Sequence, residues 1–141
     1  MTNVVVDAST ALAWCFPDES SDYADGDLTA LEGRTILVPA LWNLEIANAI
    51  LVGERRNRLR KAEIRQFAAL LEALSLVQDM QPVGEHLSNV LPLARKYGLS
   101  AYDAAYLELS IRRRAPLATL DGKLQKAAQK AGIENFGEKL A

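Results

Sequence analysis

The segment Asn3–Val6 reads NVVV and stops at a carboxylate, Asp7. Three consecutive valines show no polar alternation, so a strand here is apolar on both faces and must be covered on both. Thr35–Val38 (TILV) and Leu117–Leu120 (LATL) are of the same kind, and stretches of helical periodicity stand between them. Short buried strands alternating with helices specify an α/β fold, a three-layer sandwich with a mainly parallel central sheet flanked by helices. In such sheets ligands bind beyond the carboxyl ends of the strands. Asp7 and Asp121 both sit at such ends.

The intervening elements follow from local signals. Ser9 is expected to cap a short helix running through Trp14. Residues 18–32 carry six acids and read as an exposed helix closed by Gly33. Pro39 suits the first turn of a helix from about Ala40 to Arg56. A second helix spans about Arg60 to Leu74, with Ile64, Phe67, Leu70, Leu71 and Leu74 on one face. Leu76–Val77 reads as a short strand. Leu87, Val90, Leu91 and Ala94 mark an amphipathic helix ended by Gly98, with Pro92 as an interior breaker. Ser100 starts a helix to about Arg114, Gly122 starts another through Ala131, and Gly132–Phe136 reads as an edge strand.

Composition narrows the chemistry. The chain has 141 residues, half of them hydrophobic, with 16 Lys+Arg against 18 Asp+Glu and a net charge of −2. That is one domain, 1–141, too apolar for disorder. No apolar run nears the roughly 20 residues of a membrane span, and no basic region precedes the first apolar stretch. A cytoplasmic chain with no membrane contact is expected. One cysteine, Cys15, excludes an internal disulfide, and with the single His86 it leaves no zinc ligand set. The near-neutral charge excludes nucleic-acid binding by bulk positive charge, though not by local basic patches. Chemistry must use carboxylates, hydroxyls, Lys and Arg.

Four acids lie in apolar surroundings, where a carboxylate is rarely found unless it is paired or holds a metal. Asp7 ends a strand, and a helix cap or turn is its alternative role. Asp121 precedes Gly122, and its alternative is a plain turn. Glu45 lies in LWNLEIANAIL, where Leu41, Leu44, Ile46 and Ile50 leave little solvated face. Asn48, three residues on, shares its side. Asp103 lies in LSAYDAAYLEL, and Ser100 with Asp103 also resembles a capping box. Glu108 can pair with Arg112, and Glu72 lies on a polar face with Arg65; both read as solvated. Two acids from strand ends and two from helices suit a divalent-metal site. Magnesium takes hard oxygen ligands and keeps several waters. Such a set fits phosphodiester hydrolysis.

At these residues the chain resembles the PIN-domain ribonucleases, and within them the VapC-type toxins of prokaryotic toxin–antitoxin pairs. The match covers nearly the whole chain, and the segments that carry it are VVVDASTALAWCFPDE, VPALWNLEIANAI, GLSAYDAAYLELS and PLATLDGKLQKAAQKAGI. The resemblance implies four acids gathered at the carboxyl edge of a parallel sheet: Asp7, Glu45, Asp103 and Asp121. It implies supporting hydroxyls at Ser9 and Thr119. It also implies magnesium, with manganese as the alternative, an RNA substrate, a homodimer and a cognate antitoxin. In that frame Asp7 and Asp103 ligate the metal, Glu45 orients water or helps with a second ion, and Asp121 completes the acidic ring.

Other features have plainer readings. Arg55, Arg56, Arg58, Arg60 and Lys61 cluster at a helix junction, and Arg112–Arg114 end another helix. They suit helix C-termini and also phosphate contact. Lys123 and Lys126 lie nearer the acids. Trp14, Trp42, Tyr102 and Tyr106 read as core residues rather than base-stacking platforms. Cys15 reads as a core residue and His86 as a surface or interface one. The competing functions are a non-catalytic PIN-like interaction module and a housekeeping PIN nuclease acting on RNA or DNA. A phosphoacceptor fold with Asp7 as nucleophile is a third. The dehalogenase pattern wants a second Asp two residues on, where this chain has Ser9.

Overall fold

The computed structural model describes residues 3–16 and 28–137. Strand β1 (Asn3–Val6) leads into α1 (Ala8–Cys15), then β2 (Thr35–Pro39), α2 (Leu41–Arg55) and α3 (Lys61–Ala73). β3 (Ser75–Asp79), α4 (Val83–Tyr97), α5 (Ala101–Arg113), β4 (Leu117–Ala118) and α6 (Gly122–Lys130) follow. The strands form one sheet in the order β3-β2-β1-β4, every neighbour parallel. Of the acidic helix expected over 18–32, residues 18–27 lie outside the described residues. Residues 28–30 are helical, and Gly33 takes a positive φ of 77° that favours glycine.

β1 sits between β2 and β4, and Val4, Val5 and Val6 are each fully buried. Successive side chains of a strand point to opposite faces, so both faces of β1 are covered. Helix α5 packs against β1, β2 and β4 and is buried continuously from Ala104 to Ser110. β3 is an edge strand and is mostly exposed. No helix among the described residues is long and apolar enough to cross a membrane.

Several local expectations change. The cap of α1 is Asp7, not Ser9: the Thr10 N–H donates to Asp7 Oδ1 at 3.1 Å. Pro39 is the last residue of β2, in register with Asp79, and α2 begins two residues later. The strand expected over 117–120 ends at Ala118, because the next residues turn to serve the site. Residues 132–136 add only an isolated parallel bridge, Leu117 with Asn135, since a two-residue β4 has little edge left to pair. Helix α4 runs unbroken through exposed Pro92 to a left-handed Gly98 cap. Buried Val90 and the packing of α4 on α5 hold it across the missing hydrogen bond.

Glu108 is not solvated; it is 5% exposed. Arg112 donates from Nε to Glu108 Oε2 at 2.8 Å and from Nη2 to Asp79 Oδ2 at 2.6 Å. This pair of charge-assisted contacts pins the end of the edge strand β3 to α5. Tyr102 is 66% exposed rather than in the core, whereas Trp42 and Cys15 are buried as expected.

Candidate active site

The chain runs β1, β2, β3 in one direction across the sheet and then returns to the other side of β1 for β4. The crevice at such a reversal opens beyond the carboxyl ends of β1 and β4. Asp7 stands at the first of these ends. Asp121 stands three residues past the second, as the cap of α6.

Asp7 is 5% exposed and held from three directions. Ser9 Oγ donates to its Oδ1 at 2.7 Å, as does the Thr10 N–H, and Thr119 Oγ1 donates to its Oδ2 at 2.5 Å. Each hydroxyl is aimed by a backbone donor from the β4–α6 turn. Leu120 N–H donates to Ser9 Oγ at 3.1 Å, and Asp121 N–H donates to Thr119 Oγ1 at 3.0 Å. A hydroxyl that accepts there has its single proton left for Asp7. Burial pushes the Asp7 carboxyl above its ordinary pKa, and the hydroxyls and the Thr10 N–H oppose that without cancelling it.

Glu45 is half-buried on α2, and Tyr106 on α5 donates to its Oε1 at 2.5 Å. Burial raises the Glu45 carboxyl, the Tyr106 hydroxyl opposes, and the charges of Asp7 and Asp103 raise it further. Asp103, in the first turn of α5, is also raised, by burial first and then by Asp121, against Lys123 and Ser100. Ser100 caps that helix, accepting from the Asp103 N–H at 3.1 Å. Asp121 accepts from Lys123 N–H and Leu124 N–H, both on Oδ1. Burial and the neighbouring carboxylates lift the Tyr106 phenol well above its usual range, so it stays a donor.

Asp7, Glu45, Asp103 and Asp121 line one open cavity of about 380 Å³, together with Ser9, Asn48 and Tyr106. Thr119 is buried behind it, against Asp7. All seven residues singled out from the sequence therefore lie at or directly behind one cleft. Tyr106, read from sequence as core alone, is the addition. Its signal was available: it lies three residues after Asp103, on the same helix face. His86 lines a different cavity, between α4 and α5, with Asp79, Glu108 and Arg112.

The cleft gathers hard oxygen donors whose charges repel one another, the setting a divalent cation relieves. Among the described residues no three acids stand close enough together to enclose one ion directly. A divalent ion would fit such a set with one or two of the carboxylates as its direct holders. Among the basic clusters, Arg112 is turned inward to Asp79 and Glu108, while Lys123 lies close enough to Asp103 to oppose its rise.

The family model described as PIN domain matches residues 4–130. Ribonuclease VapC3 of Pyrobaculum aerophilum is 31% identical over 121 residues, 86% of this chain and 91% of that relative. The crystal structure of PAE2754 from Pyrobaculum aerophilum superposes with a TM-score of 0.68 and 26% identity, over 95% of this chain and 83% of that one. VapBC2 from Rickettsia felis, solved bound to a DNA fragment from their promoter, superposes with a TM-score of 0.60. At 14% identity, over 89% of this chain and 93% of that one, it shares the fold.

Proposed function

This chain belongs to the PIN domain family, and from that premise we propose that it is a magnesium-dependent endoribonuclease, the toxin of a toxin–antitoxin pair. The observation that carries the reading is the convergence of Asp7, Glu45, Asp103 and Asp121 on one cleft at the carboxyl edge of the sheet. The name of the VapC3 relative supports the RNA substrate.

Asp7 and Asp103 would hold magnesium, or manganese in its place. Bound there, the ion supplies positive charge that polarises a phosphate and makes a water more acidic. Ser9 and Thr119 keep Asp7 in one orientation. Glu45 takes a proton from, or aligns, a water in the cleft. Asp121 closes the acidic rim, and Asn48 offers an amide at its edge. The protein's part is positioning and charge compensation.

The antitoxin is the proposed partner. Leu44 and Leu51 are exposed on α2, one turn to either side of Asn48, so an apolar face leads to the cleft. A segment covering it would place an Arg or Lys among the acids, as a cation in place of the metal ion. Exposed Met80, Val83 and Leu87 favour the homodimer.

Purified protein should cut single-stranded regions of RNA in magnesium and fail to do so in EDTA or as Asp7→Asn. Its induction alone should arrest growth, and Asp7→Asn should relieve the arrest. Cleavage that survives both EDTA and the substitution would rule out the acidic cleft as the seat of the reaction.

A further inference from the structure

Tyr106 is 2% exposed and heads the fully buried side chains by volume, yet it also lines the acidic cleft. Packing accounts for the ring, which a phenylalanine would fill as well. It does not account for the hydroxyl. That group crosses from α5 to α2 and donates to Glu45 Oε1, spanning 61 residues of sequence. A glutamate side chain has several rotatable bonds, and Glu45 is only half-buried, so neighbours alone leave it free to swing. The tyrosine ring is locked in the core, with two torsions and one proton to donate.

We propose that Tyr106 is a positioning residue of the active site, whose hydroxyl fixes Oε1 of Glu45 and leaves Oε2 available to the water in the cleft. The proposal rests on the ribonuclease reading above. It makes Tyr106 act through Glu45 and not on the substrate. Asp103 and Tyr106, one helical turn apart, then bring a charged group and an aiming group to the cleft from the same face of α5.

The test is a double-mutant cycle on one RNA, with Tyr106→Phe, Glu45→Gln and the two combined, together with crystal structures of the wild type and Tyr106→Phe. The single Tyr106→Phe change should lower kcat about tenfold, the scale of a misplaced catalytic group, with KM within about twofold. In the Glu45→Gln background the same change should cost less than about twofold, because the group being aimed is already gone. In the crystal, the Glu45 carboxylate should move from its wild-type position. Equal losses in both backgrounds, or an unchanged kcat for Tyr106→Phe, would overturn the proposal. An unmoved Glu45 in the variant crystal would overturn it without reference to activity. If the wild type cuts no RNA, the ribonuclease reading fails, and the position of Glu45 in the two crystals judges the Tyr106 proposal alone.

Discussion

Asp7 has about four lone-pair sites as a carboxylate, and three hydrogen bonds occupy most of them. It can offer a cation one more, on Oδ2. Asp103 is less encumbered and stands among like charges, which makes it the informative substitution. Asp103→Asn removes one charge from the cluster and keeps the turn capped by Ser100. It should raise the melting temperature of the metal-free protein at neutral pH. If magnesium binds with a Kd near 1 mM, about 10 mM of it should stabilise the wild type by roughly 1.4 kcal/mol. For a domain of this size that is about 3–6 °C in Tm. The shift should shrink in Asp103→Asn, and thermal melts of both proteins in EDTA and in magnesium read it directly. An undiminished shift would remove Asp103 from the metal site. The four acids were legible because a carboxylate in an apolar run calls for a reason. Capping does not compete with a place in the cleft, since Asp7 and Asp121 each cap a helix and line it. Helical spacing put Tyr106 on the Asp103 face, but its bond to Glu45 was not legible, because that partner lies 61 positions away.

Two contacts between elements carry their own predictions. Gly53, inside α2, lets the chain pass Phe16: a Cβ there would lie 2.6 Å from Phe16 Cε1 and 3.1 Å from Leu59 Cδ1. Phe16 is buried and under the Arg58 guanidinium, so it has little room to give. Gly53→Ala should therefore destabilise by about 1–3 kcal/mol by overpacking, although alanine is the better helix former. Urea unfolding measures it, and a gain in stability would show that Phe16 can move. Arg112 joins β3 to α5 through Asp79 and Glu108. Arg112→Met leaves the Glu108 charge buried and unpaired. It should cost roughly 1–3 kcal/mol, discounted because Arg112 itself is partly exposed, and adding Glu108→Gln should recover part of the loss. If the double variant unfolds no later than the single one, the pair is not what holds the strand. Element type was legible where periodicity was long, as in α3 and α5. Ends were misplaced where a side chain chose between roles. Pro39 could finish a strand or open a helix, and Thr119 left the strand to bond Asp7.

Charge acts on the domain through its acidity. Asp7, Glu45 and Asp103 hold protons more tightly in the folded chain than their ordinary values of 3.8, 4.5 and 3.8. A carboxyl raised by folding stabilises below its unfolded value, and that contribution is lost as pH rises through the folded one. In EDTA the protein should thus melt higher at about pH 5 than at about pH 7.5, and magnesium should reduce the difference. A melting temperature that rises over this interval in EDTA would show that the cluster does not govern stability. The alternation of buried strands and helices, the single cysteine and the odd placement of four acids were all readable from the chain. Each depends on neighbours within a few residues, where periodicity and burial leave a mark. The sheet order β3-β2-β1-β4, the meeting of positions 7, 45, 103 and 121 in one cleft, the burial of Glu108 and the bond from Tyr106 to Glu45 were decided by tertiary structure. They join residues far apart in sequence, and no local pattern encodes which distant partner a side chain will find once the core has closed.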